Sequence, residues 1–121
     1  MAKIFLDTNI LVDILSNRSD LNPEILDHHD LYISVLSIHI TAYLLKIEIP
    51  NKHFNEVINT CKITDLDKNI YQLASKGPNK DLEDNIQLHS CAQADCDYFL
   101  TNDKELLKMI YFGKTKIINT L

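Results

Sequence analysis

Ile4-Phe5-Leu6-Asp7-Thr8-Asn9, near the start of the chain, and Tyr98-Phe99-Leu100-Thr101-Asn102-Asp103, near its end, are built alike: an apolar run is stopped by polar residues that include an acid. Continuous apolar runs describe strands buried on both faces, because a strand open to water on one face alternates apolar with polar. Asp, Thr and Asn are favoured at helix N-caps. Behind the first stop, Ile10, Leu11, Ile14 and Leu15 recur at helical spacing, and behind the second, Leu106, Leu107 and Ile110 do the same. Each stretch therefore reads as a strand, a turn bearing an acid, and a helix.

Outward from these stretches the alternation continues. Leu31-Tyr32-Ile33-Ser34 is a further strand, followed by a helix whose apolar stripe is Leu36, Ile40, Tyr43, Leu44 and Ile47 and which Ile49-Pro50-Asn51 ends. Ile40 is assigned to core packing on that stripe. Residues 54–61 and 68–76 have the spacing of short amphipathic helices, with Lys62-Ile63-Thr64 as a strand between them. Gly77-Pro78-Asn79 breaks the second helix. A helix over residues 81–95 and a last strand at Lys116-Ile117-Ile118 complete the pattern. Strands alternating with helices imply a parallel sheet covered on both sides. The expectation is a three-layer α/β/α fold around a small central parallel sheet of four or five strands, forming one domain over residues 1–121.

Composition agrees. With 45% hydrophobic residues, two Gly and three Pro, the chain lacks low-complexity segments and linkers. A chain of 121 residues buries roughly two thirds of its unfolded surface, enough to fold without metal or disulfide. The N-terminal residues lack the pattern of a signal peptide, and no apolar run approaches the roughly 20 residues of a membrane span. Cys61, Cys91 and Cys96 are an odd set without zinc-type pairing, which suits buried thiols in a reducing cytoplasm. The net charge of −5 runs against a nucleic-acid partner. It is uneven, however: residues 101–121 carry Lys104, Lys108, Lys114 and Lys116 against Asp103 and Glu105, a balance of +2. Acids gathered on a divalent ion would also be neutralised by it.

Asp7 and Asp103 each follow the carboxyl end of a buried strand, where open parallel sheets place ligands. In the helix after Pro78, the residues Asp81, Asp84, Leu88, Cys91, Ala92 and Asp95 share one face, so two carboxylates begin an otherwise small and apolar stripe. Any one of these acids is explained as a helix cap or as a charge at the positive end of a helix dipole. Three carboxylates from distant parts of the chain are also what Mg²⁺ or Mn²⁺ needs, a few hard oxygen ligands completed by water. Such an ion polarises a phosphoryl oxygen and activates water, and the reaction implied is phosphodiester hydrolysis. Phosphotransfer enzymes also place an Asp after a first strand. The phosphatase pattern needs a second Asp where this chain has Asn9, and Asp65 is a weak candidate phosphoacceptor.

The ordered set of Ile4-Phe5-Leu6-Asp7-Thr8-Asn9, Ser34-Val35-Leu36-Ser37, Asp81-Leu82-Glu83-Asp84 and Asp97-Tyr98-Phe99-Leu100-Thr101-Asn102-Asp103 resembles the PIN domain, a family that includes the VapC-type toxins of toxin–antitoxin pairs. The resemblance covers nearly the whole chain. It implies that Asp7, Asp84 and Asp103 are catalytic acids binding Mg²⁺ or Mn²⁺, that Asp81 can contribute to the metal, and that Asn9, Ser34 and Thr101 orient carboxylates or water. It further implies endonucleolytic cleavage of RNA in the cytoplasm, an antitoxin protein as partner, and a homodimer. Many active members carry a Glu about six residues after the serine corresponding to Ser34, and here that position is Ile40. His39 lies about 100° away around the helix and Glu48 about 12 Å along it, so neither substitutes well. The alternative reading is a PIN-like domain whose catalysis is weakened and which acts as an RNA- or protein-binding module.

Overall fold

The computed structural model describes residues 1–17 and 27–121. Along them run β1 (Lys3–Leu6), α1 (Thr8–Leu15), β2 (Asp30–Ser34), α2 (Val35–Leu44), α3 (Lys52–Asn59), β3 (Lys62–Thr64), α4 (Lys68–Ala74), α5 (Leu82–Gln93), β4 (Tyr98–Leu100), α6 (Lys104–Leu107), β5 (Tyr111–Phe112) and β6 (Thr115–Ile118). The strands form one sheet in the order β3-β2-β1-β4-β6-β5. All neighbours are parallel except β5 and β6. From β1 the chain winds outward through β2 to β3, then returns to lay β4 against the other side of β1. The gap between β1 and β4 is therefore the topological switch point, the place where such sheets form a crevice at the carboxyl ends of their strands.

The two faces of β1 separate the core into layers. Ile4 and Leu6 pack with Ile10, Leu11 and Leu15 of α1 and with Phe54 and Ile58 of α3. Phe5 points the other way and packs with Leu88 and Cys91 of α5, Phe99 of β4 and Leu106 of α6. In the parallel register Phe5 lies opposite Phe99, and their rings stack with centroids 5.7 Å apart. Both rings are fully buried, which explains the unbroken apolar runs of β1 and β4. A smaller group, Ile70, Ala74 and Ile86, joins α4 to α5. Cys91 and Cys96 are buried and Cys61 is half-buried, all three as free thiols.

Three details differ from the sequence expectation. The sheet has six strands, because β5 pairs antiparallel with β6 across a turn at Gly113, whose φ of +60° suits a residue without Cβ. Consequently the helix opened by Asp103 stops at Leu107, and Ile110 is exposed with φ +66°. The third difference is in α2, which ends at Leu44, before Pro50; Lys46 adopts φ +53° and the Ile47 N–H donates to the Ala42 carbonyl. That six-to-one bond is the mark of a helix C-cap.

The buried side of α2 is also not the expected stripe. Ser37 and Thr41 face inward at 0% exposure, and Ile38, Ala42 and Leu45 pack on the first core. Tyr43 is 77% exposed and Leu44 57% exposed, on the outer side. Ile40 is half-buried and is no part of the core clusters. Because α2 is apolar nearly all round, periodicity could not choose its inner face. Small polar residues took it, which permits close approach to α1 and to the polar turns beside it.

Thr41 Oγ1 is buried with no hydrogen-bond partner among the described residues. A buried hydroxyl without a partner costs about 1–3 kcal/mol of desolvation. Thr41→Val is thus expected to raise stability by about 1 kcal/mol, read as a higher urea midpoint with an unchanged slope.

Candidate functional site

Asp7 follows β1 directly, and its N–H continues the β1–β4 ladder by donating to the Leu100 carbonyl at 2.9 Å. The side chain is 3% exposed. Its Oδ1 accepts the Thr8 N–H at 2.9 Å. Its Oδ2 accepts the Thr101 hydroxyl at 2.7 Å and the Asn9 amide at 3.2 Å. Thr101 reaches Asp7 because it follows Leu100 as Asp7 follows Leu6, and Leu6 and Leu100 are register partners. The same hydroxyl accepts the Asp103 N–H at 3.0 Å. Asn9 also accepts the Asn102 N–H at 3.2 Å. Two adjacent strand ends are thereby tied into one polar turn.

Asp103 caps α6, its Oδ1 accepting the N–H groups of Glu105 and Leu106. Asp84 comes from a different source, the first turn of α5, and Asp81 caps that helix by accepting the Asp84 N–H at 3.0 Å. Asp7, Asp84 and Asp103 line one open cleft of about 300 Å³ together with Glu83, Asp13 and an apolar wall of Val12, Ile40 and Leu44. The ligand atoms of Asp81, Glu83 and Asp84 lie within 4.8 Å of one another.

Negative charge accumulates here, and among the described residues no cation is ion-paired with it. Among the described residues the ion pairs run from lysines to Glu56, Asp30, Glu105 and Asp95, and none involves an acid of the cleft. Burial and then the negative charges of Asp81, Asp7, Asp103 and Glu83 push the Asp84 carboxyl up to about 7. Burial pushes Asp7 up as well, and Asp103 adds to this, while the donors Thr101, Thr8 and Asn9 oppose it. Glu83 is raised by burial and by Asp7 and Asp81. Several raised carboxyls sharing a cleft mean that their charges disfavour one another.

The structure sets Asp7, Asp84 and Asp103 around one cleft, while among the described residues the acids close enough to share an ion as they stand are Asp81, Glu83 and Asp84. Asp81 is exposed and lies outside the cleft lining, though its carboxylate clusters with those of its neighbours. Asn9 and Thr101 touch Asp7, but Ser34 touches no acid: it is buried and bonded to Gln87 and Ser37. Ile40, assigned to core packing by sequence, instead forms part of the cleft wall. Glu83 was missed because residues 83 and 84 lie about 100° apart on a helix. At a helix N-terminus that separation still lets both carboxylates line one cleft, since no preceding turn lies between them. Asp13 was missed too; it stands at the lip, accepting the Asn102 side-chain amide at 3.2 Å.

The sequence matches the PIN domain family over residues 4–110. No curated protein matches it in sequence. Among solved structures it is similar to a chain of VapBC2 from Rickettsia felis bound to a DNA fragment from its promoter, with TM-score 0.69, 16% identity and 98% of each chain covered. It is similar to Mycobacterium tuberculosis VapC20, a Sarcin-Ricin loop cleaving toxin, with TM-score 0.68, 8% identity and coverage of 93% of this chain and 98% of that one. A chain of FitAB bound to IR36 DNA gives TM-score 0.61 at 17% identity, covering 95% of this chain and 93% of that one. At these identities the structural likeness speaks for the fold, while the family match extends over most of the length, from β1 past α6: the chain belongs to the PIN domain family.

Proposed function

We propose that this chain is a divalent-metal-dependent endoribonuclease of the toxin type, with Asp7, Asp84 and Asp103 as the acids that hold Mg²⁺ or Mn²⁺. The observation that carries the proposal is the cleft at the switch point, where these acids meet with no lysine in ion-pair reach and Asp84 is pushed up to about 7. The donor set fits a hard cation. Two carboxylate oxygens offer about four lone-pair directions, and three donors approach those of Asp7, which leaves room for one further partner. When bound, the ion would polarise a phosphoryl oxygen and lower the pKa of a water.

The protein's own groups supply the rest. Thr101 and Asn9 hold Asp7 in one orientation, and the Thr101 hydroxyl couples that orientation to the backbone at Asp103. Glu83 adds a carboxylate to the cleft on the α5 side, and Asp81 supports α5 as its cap. Lys104, next to Asp103 in the chain, would help to hold phosphate, whereas Lys108 and Lys114 are engaged by Glu105 and Asp95. RNA as substrate rests on family membership. Similarity to chains of VapBC2 and FitAB supports a protein partner of the antitoxin type.

The apolar Ile40 in the cleft wall favours a second reading, a PIN domain that keeps a metal site and has lost fast cleavage. An RNA cleavage assay separates the two. Under the first reading wild-type protein cuts with Mn²⁺, EDTA stops it, and Asp7→Asn, purified identically, is inactive. Thr101→Val, which removes the hydroxyl that holds Asp7 and accepts the Asp103 N–H, reduces cleavage about 10- to 100-fold. Wild type that binds Mn²⁺ without cutting any RNA offered would establish the second reading.

A pH dependence follows from Asp84. Its carboxyl is raised from an ordinary value of 3.8 to about 7, so a bound cation must displace its proton at lower pH. Mn²⁺ affinity should rise by up to about tenfold per pH unit below 7 and flatten above it, and Asp84→Asn should remove that rise. In the metal-free protein the sign is opposite. A raised folded-state pKa means that the folded form binds the extra proton, so the stabilising contribution of Asp84 is full at low pH and is lost as pH climbs through about 7. Thermal melts in EDTA at pH 6 and pH 8 should show a larger drop for wild type than for Asp84→Asn.

A further inference from the structure

Asp7 and Asp103 are held to each other by the sheet, but Asp84 rides on a helix, and apolar packing of Leu88 and Cys91 does not by itself fix how far a helix has slid along its axis. Buried amides can fix it: Asn85 bonds α5 to Ala74 and Asn79, and toward the Asp7 side of the sheet the anchor is Gln87, one turn after Asp84 and about 4.5 Å along the helix from it. The Gln87 side chain is completely buried, at 0% exposure, which is uncommon for this residue type. Its Oε1 accepts the Ser34 hydroxyl at 2.6 Å. Its Nε2 donates to Thr8 Oγ1 at 2.8 Å and to Ser37 Oγ. Thr8 and Ser37 are themselves 3.0 Å apart, and the Ser37 N–H donates to Ser34 Oγ at 3.0 Å. Every amide proton and the amide oxygen of Gln87 therefore has a partner.

Those partners are not scattered. Thr8 is the residue after Asp7, and its own N–H holds Asp7 Oδ1. Ser34 and Ser37 form the N-terminal turn of α2, the helix that supplies Ile40 and Leu44 to the cleft wall. One buried amide thus joins three of the elements that line the cleft: the β1–α1 turn, α2 through its first turn, and α5. Sliding α5 by one residue would break all three bonds and strand buried polar groups without partners. An apolar residue of similar size would bury at less desolvation cost, so stability alone does not call for an amide at this position.

We infer that Gln87 is a positioning residue whose buried amide locks α5 to the turn carrying Asp7 and so sets the separation of Asp84 from Asp7. The inference rests on the proposed metal site. The test is Mn²⁺ binding by the whole chain at pH 8, followed by loss of the free-ion electron paramagnetic resonance signal, with melting temperature measured on the same samples. Gln87→Met keeps the volume and removes the bonds; it should weaken Mn²⁺ binding roughly 10- to 100-fold. Ile58→Val, on the buried side of α3, is the control for lost stability and should keep wild-type affinity. In an Asp84→Asn background Gln87→Met should cause little further loss, because the residue acts through Asp84. Should Gln87→Met not fold, Ser34→Ala removes a single partner of the amide and should weaken binding several-fold. Wild-type affinity in whichever of these variants is folded would overturn the assignment, as would an equal loss with and without the Asp84 carboxylate. If the wild type itself bound no Mn²⁺, the metal site and this inference would fall together, whereas binding by wild type and Gln87→Met alike would remove only the role of Gln87.

Discussion

The parallel pairing of β1 with β4, in the register that sets Leu6 beside Leu100, is the constraint on which the rest of the molecule depends. A strand places successive side chains on opposite faces, so a slip of one residue would exchange the core contents of both layers. Phe5 and Phe99 would lose their stack, and Ile4 and Leu6 would leave α1 and α3. The same slip would move Thr101 away from Asp7. Core and site are thus specified by one register, and the apolar residues that stabilise the sheet also aim the hydroxyl that orients the most buried acid.

Electrostatics work in the opposite direction. Gathering Asp7, Glu83, Asp84 and Asp103 at one edge raises carboxyl pKa values through burial and mutual repulsion, which opposes folding of the ionised form. Local structure offsets part of that cost. Asp7, Asp81 and Asp103 stand at helix N-caps, and Glu83 and Asp84 fall in a first turn, where backbone N–H groups and the helix dipole favour negative charge. What remains is a cleft better matched to a divalent cation than to water alone.

Much of this was legible in the chain because the decisive signals are local. The runs Ile4-Phe5-Leu6 and Tyr98-Phe99-Leu100, each stopped by capping residues, fix two strands and two acids, and helical spacing after Pro78 brings Asp84 to the same edge. Features set by tertiary contact were not legible. On α2 nearly every residue is apolar, so the inner face was decided by Ser37 and Thr41 fitting against neighbours, and Ile40 was turned into the cleft. β5 is two residues long, too short for any period. Gln87 follows Asp84 by one turn, but its role depends on Thr8, Ser34 and Ser37, which arrive from two other turns.

The cleft takes its apolar wall and much of its charge from different helices. α2 contributes an apolar wall through Ile40 and Leu44, while α5 contributes two consecutive carboxylates, Glu83 and Asp84, with Asp81 capping the same helix. Carboxylates on one helical turn move as a unit, so an error in the placement of α5 displaces them together. Asp7 and Asp103 stand at strand ends that the sheet ties together, whereas the position of Glu83 and Asp84 depends on how α5 is docked against them. The buried amide of Gln87, fully bonded to the turns behind Asp7 and Ile40, is a feature of the fold that can fix that docking.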